Sequence, residues 1–273
     1  YQYIHREIRA RVNLRTPLGG RYSVMYGLTL RQVEPTRYPG SKLDIDAQRT
    51  TEDGEPLVYG LQPLGHAIVA GGFVYDTRDN EITPSNGSFN LYALRASAAT
   101  PTASDVRYAG LNLVLRRYLP LGGPFVLAGR AFVDLMAGNV AFYDLSQGGA
   151  FVAVDVPGGP YGIRGVPNGR YSGLVKLIGN VELRAMHVKF RLLGDEFQLG
   201  NNVFFDAGRV FAQYEPDPRD GKGLGLKYGV GGGLYVLWGS AALFRIEVAY
   251  SPDATAANPG FPLGIYVADS VMF

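Results

Sequence analysis

A two-residue alternation constrains this chain more than any other feature: it recurs in segment after segment and sets charged residues in mid-segment between apolar neighbours. In residues 8 to 14, Ile8, Ala10, Val12 and Leu14 fall on one side and Arg9, Arg11 and Asn13 on the other, which is the period of an extended strand. The same split sets Tyr22, Val24, Tyr26, Leu28 and Leu30 against Arg21, Ser23, Thr29 and Arg31, and Ala109, Leu111, Leu113 and Leu115 against Tyr108, Gly110, Asn112 and Arg116. Further on, Leu127, Ala131, Val133 and Leu135 oppose Arg130 and Asp134. Val175, Leu177, Val181 and Leu183 oppose Asn180, Glu182 and Arg184, and Phe244, Ile246 and Val248 oppose Arg245 and Glu247.

A soluble β-sandwich also alternates, so length and aromatic placement decide between the two readings. The segment at 174 to 190 far exceeds the ~5 to 6 residues of a soluble strand and passes the ~9 to 11 that a membrane strand needs. Tyr22, Tyr75, Tyr118, Phe125, Trp238, Tyr250 and Phe273 sit near segment ends, where an outer-membrane barrel carries its interfacial girdles. The pattern therefore predicts an all-β, transmembrane antiparallel β-barrel. A mean hydropathy of zero fits, because lipid-facing and lumen-facing residues average out. The absence of cysteine excludes disulfides, thiol nucleophiles and cysteine-ligated zinc. A net charge of +2, with arginines spread along strands, gives no case for nucleic acid.

Eleven strands are predicted, near 6–16, 21–33, 64–76, 86–99, 105–119, 124–136, 174–190, 197–212, 226–238, 241–251 and 262–273. Leu18-Gly19-Gly20, Gly122-Gly123 and Gly239-Ser240 read as tight turns on one rim; the links at 34–56, 137–173, 213–225 and 252–260 read as loops on the other. The whole chain, 1–273, reads as one barrel domain with a long lumen-directed loop at about 145–173. An odd count does not close a single-chain barrel with both ends on one side, which leaves either a missed strand or further chain before Tyr1.

The Gly-rich stretch from Gly158 to Gly173 holds Arg164 in Ile163-Arg164-Gly165. An arginine in such a loop reads as aimed at a buried partner inside the barrel; the alternative is a solvated loop tip. Glu182 and Asp206 fall on polar positions of neighbouring predicted strands and suit a guanidinium. Catalysis has little support, because His5, His66 and His187 lie in no recognisable motif; the expectation is no enzyme, no cofactor and no metal. Asp76, Arg78 and Asp79 sit in a turn and read as backbone-shaping rather than as a metal or acid pair. Gly231-Gly232-Gly233 lacks the lysine of a phosphate loop and reads as a kink or a close approach within a strand.

Four segments in order resemble the BamA and TamA superfamily of outer-membrane assembly and secretion barrels, the bacterial surface antigen family. They are Tyr75-Asp76-Thr77-Arg78-Asp79-Asn80, similar to that family's turn between two strands; Phe142-Tyr143-Asp144-Leu145 leading to Gly162-Ile163-Arg164-Gly165, similar to its sixth extracellular loop; Gly179-Asn180-Val181-Glu182-Leu183-Arg184; and Phe204-Phe205-Asp206-Ala207-Gly208-Arg209-Val210. The resemblance covers about Leu57 to Phe273 and implies a sixteen-strand barrel in which Arg164 meets Glu182, Asp206 or both. Val166 departs from the aromatic usual there, which implies different packing at the loop tip. No periodic POTRA-type repeats and no lipase elbow are visible, so the resemblance extends to members without an N-terminal domain. Phe273, after Val271, Val267 and Ile265, resembles the C-terminal signal for barrel insertion, interrupted by Asp269.

The resemblance implies a bacterial outer-membrane protein that inserts or translocates polypeptides, with a loop gated through Arg164. The expected partners are outer-membrane lipid, polypeptide substrates and accessory envelope proteins or lipoproteins. The alternative is a passive pore or a structural protein that recruits partners, whose lumen sets Arg9, Arg11, Arg15 and Arg31 against Glu182, Asp206 and Glu247.

Overall fold

The computed structural model describes residues 3–51, 53–99, 106–215, 225–239, 242–256 and 259–273. Eleven strands, all but the six-residue last one nine residues or longer, form one antiparallel sheet: β1 (Tyr3–Gly19), β2 (Tyr22–Arg37), β3 (Leu64–Asp76), β4 (Gly87–Ala99), β5 (Arg107–Gly122), β6 (Phe125–Asn139), β9 (Val175–Leu192), β10 (Asp195–Phe211), β11 (Lys227–Trp238), β12 (Ala242–Tyr250) and β13 (Leu263–Ala268). Each pairs with its sequence neighbour, and β6 joins β9 across a loop that carries a two-residue hairpin, β7 (Gln147–Gly148) with β8 (Val154–Asp155). No ladder joins β1 to β13 among the described residues.

The alternation dictates which face is which. Ile8, Leu94 and Leu234 are 79%, 65% and 66% exposed, whereas Arg95, Arg130, Asp134, Glu182, Arg245 and Glu247 are buried. A soluble sandwich would invert this; here the apolar face is the outer one and the charged face is covered. Its cover is the 140–174 loop. That single loop is touched by Asn13 of β1, Arg31 of β2, Tyr108 of β5, Arg130 of β6, Asn180 of β9, Asp206 of β10, Glu247 of β12 and Tyr266 of β13. One sheet can reach one loop from so many strands only by curving around it.

Short connections share one rim. Gly19 and Gly20, then Gly122 and Gly123, take positive φ at two of these turns, a backbone that side chains rarely adopt. The long links 38–63 and 140–174 lie on the opposite rim. Residue 105, the link residues 216–224, Ser240 and Ala241 lie outside the described residues; the sequence places strand starts, a rim loop and part of a turn there.

Three expectations need correction. The link expected at 34–56 runs from 38 to 63, because β2 continues to Arg37 and β3 begins at Leu64, and it contains a helix, α1 (Lys42–Asp46), whose N-cap Ser41 accepts from the Asp44 N–H at 3.2 Å and whose Leu43 is buried with Val33, Val58, Leu64 and Phe142. The last strand does not run to Phe273 but ends at Ala268. Beyond it the chain turns inward, burying Met272 and Phe273 against Tyr118 and Ala128, and Arg184 Nη2 donates to the Phe273 carbonyl at 3.0 Å. Tyr118 and Phe273 therefore belong to the interior and not to a girdle, while Tyr22, Phe125, Trp238 and Tyr250 stay on the outer face.

Candidate functional site

Register assembles the site. Asp206 on β10 pairs with Asn180 on β9 and with Gly229 on β11, and Glu182 lies opposite Phe204, so Asn180, Glu182, Phe204 and Asp206 share the inner face. Glu247 on β12 faces the same way, opposite Gly233. Into this patch the loop inserts Arg164, whose side chain has no exposure.

Arg164 grips Asp206 as a fork, with Nε to Oδ2 at 2.8 Å and Nη2 to Oδ1 at 2.9 Å, while its own backbone N–H donates to Oδ2 at 3.0 Å. Nη1 lies 2.6 Å from Glu182 Oε1 and 2.8 Å from Glu247 Oε1. The guanidinium carbon stands 3.3 Å from the Phe204 ring centroid, a cation–π contact in a fully buried site. Two wall arginines complete the set: Arg184 Nε donates to Glu182 Oε2 at 2.6 Å and Arg245 Nη1 to Glu247 Oε2 at 2.8 Å. Three guanidinium cations (Arg164, Arg184, Arg245) thus balance three carboxylates (Glu182, Asp206, Glu247), which offsets the desolvation that an uneven count would leave uncompensated.

Neighbours of Arg164 show why the loop takes this course. Gly165 has φ +95°, and a Cβ there would stand 2.6 Å from Ser251 Cβ. Its N–H donates to Tyr266 Oη at 2.7 Å. On the wall, a Cβ on Gly229 would meet the Arg164 carbonyl oxygen at 1.7 Å, so only glycine lets the loop backbone lie this close to β11. Ile163 and Val166 are fully buried with Val114, Phe132, Val156 and Ile178. Position 166 thus serves as an aliphatic contact here.

The loop's stem is fixed separately. Asp144 forms an ion pair with Arg31 and accepts from Tyr108 Oη at 3.4 Å, while the ring of Tyr143 lies by His66, whose Nε2 is 2.8 Å from the Tyr143 hydroxyl. Between stem and tip, Arg95 holds Asp134 through two bonds of 2.8 Å, and Asp134 Oδ1 also accepts from the Gly149 N–H at 3.0 Å.

The structure brings Arg164, Gly162, Ile163, Gly165, Glu182 and Asp206 into one cluster and adds Glu247, which sequence reasoning set in the lumen without linking it to Arg164. Asp76, Arg78 and Asp79 lie apart, on the turn rim. Arg78 folds back on Asp76 through bonds of 2.9 and 2.8 Å, and Asp79 Oδ1 accepts from the N–H groups of Ser85 and Asn86. No trio of His, Cys, Asp or Glu suited to a metal occurs among the described residues.

A single sheet with an oily exterior, an ionic interior and a rim loop clamped inside it defines a transmembrane β-barrel wall plugged by its own loop. The chain belongs to the Omp85 superfamily, whose domain model matches residues 1–259, so the family match also takes in β1 and β2, upstream of the motifs. Among solved structures, the fold is similar to BamA from Haemophilus ducreyi lacking POTRA domains 1–3, with a TM-score of 0.63 and 16% identity. The alignment covers 98% of this chain and 55% of that one, so the chain spans little more than half of its relative. No curated protein matches the sequence.

Proposed function

We propose that the protein works in the bacterial outer membrane as a polypeptide-inserting or polypeptide-translocating barrel whose lumen is closed by the Arg164 loop. Membership of the Omp85 superfamily and a BamA-like fold support the class. The observation that carries the gating is the complete burial of the Arg164 guanidinium among Glu182, Asp206 and Glu247. A plug whose one buried cation meets three wall carboxylates loses its grip on all three strands at once when that contact breaks. Outer-membrane lipid covers the exposed aliphatic face, polypeptides are the cargo, and accessory envelope proteins or lipoproteins deliver them.

The reading assigns no catalysis. His66 is buried between Ser97 and Tyr143, with its ring nitrogens 3.3 and 2.8 Å from their hydroxyls, and is closed to any substrate. Glu182, Asp206 and Glu247 pair with Arg164, Arg184 and Arg245, while Arg9, Arg15 and Arg31 pair with Glu7, Asp76 and Asp144, so the two sets are engaged with other partners rather than lining an open passage, which supports the closed reading.

Conductance across planar bilayers tests the gating. The parent should be mostly closed and Arg164→Ala should show sustained openings. Steady open currents from the parent, unchanged by the substitution, would favour a passive pore.

A further inference from the structure

The loop tip is held by more than its arginine. Three successive carbonyls each accept a hydrogen bond from a different strand: Pro160 from Arg245 Nη2 of β12 at 3.0 Å, Tyr161 from Arg130 Nη2 of β6 at 2.7 Å, and Gly162 from Asn180 Nδ2 of β9 at 2.8 Å. Two N–H groups follow, that of Arg164 to Asp206 of β10 at 3.0 Å and that of Gly165 to Tyr266 Oη of β13 at 2.7 Å. Five strands therefore read five backbone groups between positions 160 and 165. The side chains of Pro160 and Tyr161 are only half-buried, whereas Ile163 and Arg164 are fully buried. Backbone contacts of this kind do not depend on the sequence that supplies them; Arg164 is the position where side-chain identity matters most.

From this arrangement we infer that the inner wall is a binding cradle for a polypeptide turn. It recognises three carbonyls, then an apolar residue, an arginine and a glycine. The protein's own loop fills the cradle at rest, and an arginine-bearing turn of a polypeptide in transit takes the same contacts when the loop leaves. This second occupant rests on the gating proposed above. The wall is suited to it because its donors sit on paired strands rather than on the loop. Arg130 makes the point: its guanidinium bonds the Tyr161 carbonyl and takes no part in the ion pairs of Arg164.

The test uses the full chain with Arg164→Ala, in lipid nanodiscs, and a fluorescein-labelled peptide spanning positions 156–168 of the parent sequence, read by anisotropy. The peptide should bind. Replacing its arginine by alanine should weaken binding at least ~10-fold, the effect of losing a charge-assisted bond. Alanine at the peptide's positions 160 and 161 should cost less than ~3-fold, because their carbonyls remain. Arg130→Met in the receptor should weaken all of these peptides by a similar factor of at least ~10, the effect of losing one hydrogen bond from a charged donor.

A chain whose residues 147–170 are replaced by a short Gly-Ser linker serves as a second receptor, with folding checked by heat-modifiable migration. Equal binding with and without the peptide's arginine, or no binding to either folded receptor, would overturn the cradle. If the peptide binds as expected while the parent's loop never becomes accessible to labels, the cradle stands and the gating reading fails. If the loop becomes accessible and no peptide binds, the gating stands and the cradle fails.

Discussion

The two ends of the inward loop are held by opposite arrangements of charge. At the tip, a cation of the loop enters a ring of wall carboxylates; at the stem, an anion of the loop, Asp144, meets a wall cation, Arg31. Removing Arg164 would take away the one guanidinium that reaches all three buried carboxylates; Glu182 and Glu247 would keep Arg184 and Arg245, but Asp206 would keep no ion pair among the described residues. Removing the charge of Asp144 leaves Arg31 with Glu7, 3.9 Å away and partly exposed. The ion pairs of the tip therefore depend on one cation, whereas the stem has a reserve partner in Glu7.

The largest expected effect is at the tip. Arg164→Ala should lower stability by ~3 to 5 kcal/mol, as for one partner taken from a buried ion set, seen as a lower urea midpoint for loss of heat-modifiable migration. Arg164→Lys should recover little, because an ammonium cannot fork across Asp206 while also reaching Glu182 and Glu247. If lysine restores the parent midpoint, the fork geometry is not what matters. A smaller loss, ~1 to 3 kcal/mol, is expected for Asp144→Asn, with the tip still docked; an effect equal to that of Arg164→Ala would erase the contrast between the two ends.

The turn rim should be the least sensitive. Arg78→Ala removes a half-buried, two-bond pair but leaves Asp76 with Arg15, 3.6 Å away, and should cost ~1 to 2 kcal/mol in the same urea assay. At Asp79, slight burial pushes the carboxyl up, but hydrogen bonds from the Ser85 hydroxyl and from the N–H groups of Asn86 and Ser85 outweigh it and hold the group below its usual range. A depressed folded value means that the turn's contribution is complete above ~3.9 and is lost as pH falls through the folded value. Stability should thus show no Asp79 step between pH 5 and 8, and Asp79→Asn should remove an acid-side step. A step near neutrality that Asp79→Asn abolishes would contradict this.

How far the sequence carries depends on the kind of contact. Strands and faces were legible because alternation reports burial directly: Ile246 and Glu247 are adjacent in sequence and lie on opposite faces. Glu182 and Asp206 were legible because they follow the loop on the next two long strands. The tie from Arg164 to Glu247 was not, since three strands, β9 to β11, separate them and nothing local marks the pairing. The grip on the carbonyls of Pro160, Tyr161 and Gly162 was hidden for a deeper reason, because backbone acceptors leave no mark in a sequence. The inward tail was misread because Ile265, Val267, Val271 and Phe273 keep a strand's alternation past the point where Ala268 ends the ladder. α1 was missed because five residues are too few to show a helical period.

The central claim, that Arg164 keeps the loop seated inside the barrel, is open to one direct measurement. The chain has no native cysteine, and Val166, two residues beyond Arg164, is fully buried. Val166→Cys, reconstituted in liposomes and treated with a membrane-impermeant maleimide, should label slowly with Arg164 in place and rapidly with Arg164→Ala. Equal labelling rates in the two backgrounds, fast or slow, would contradict the account.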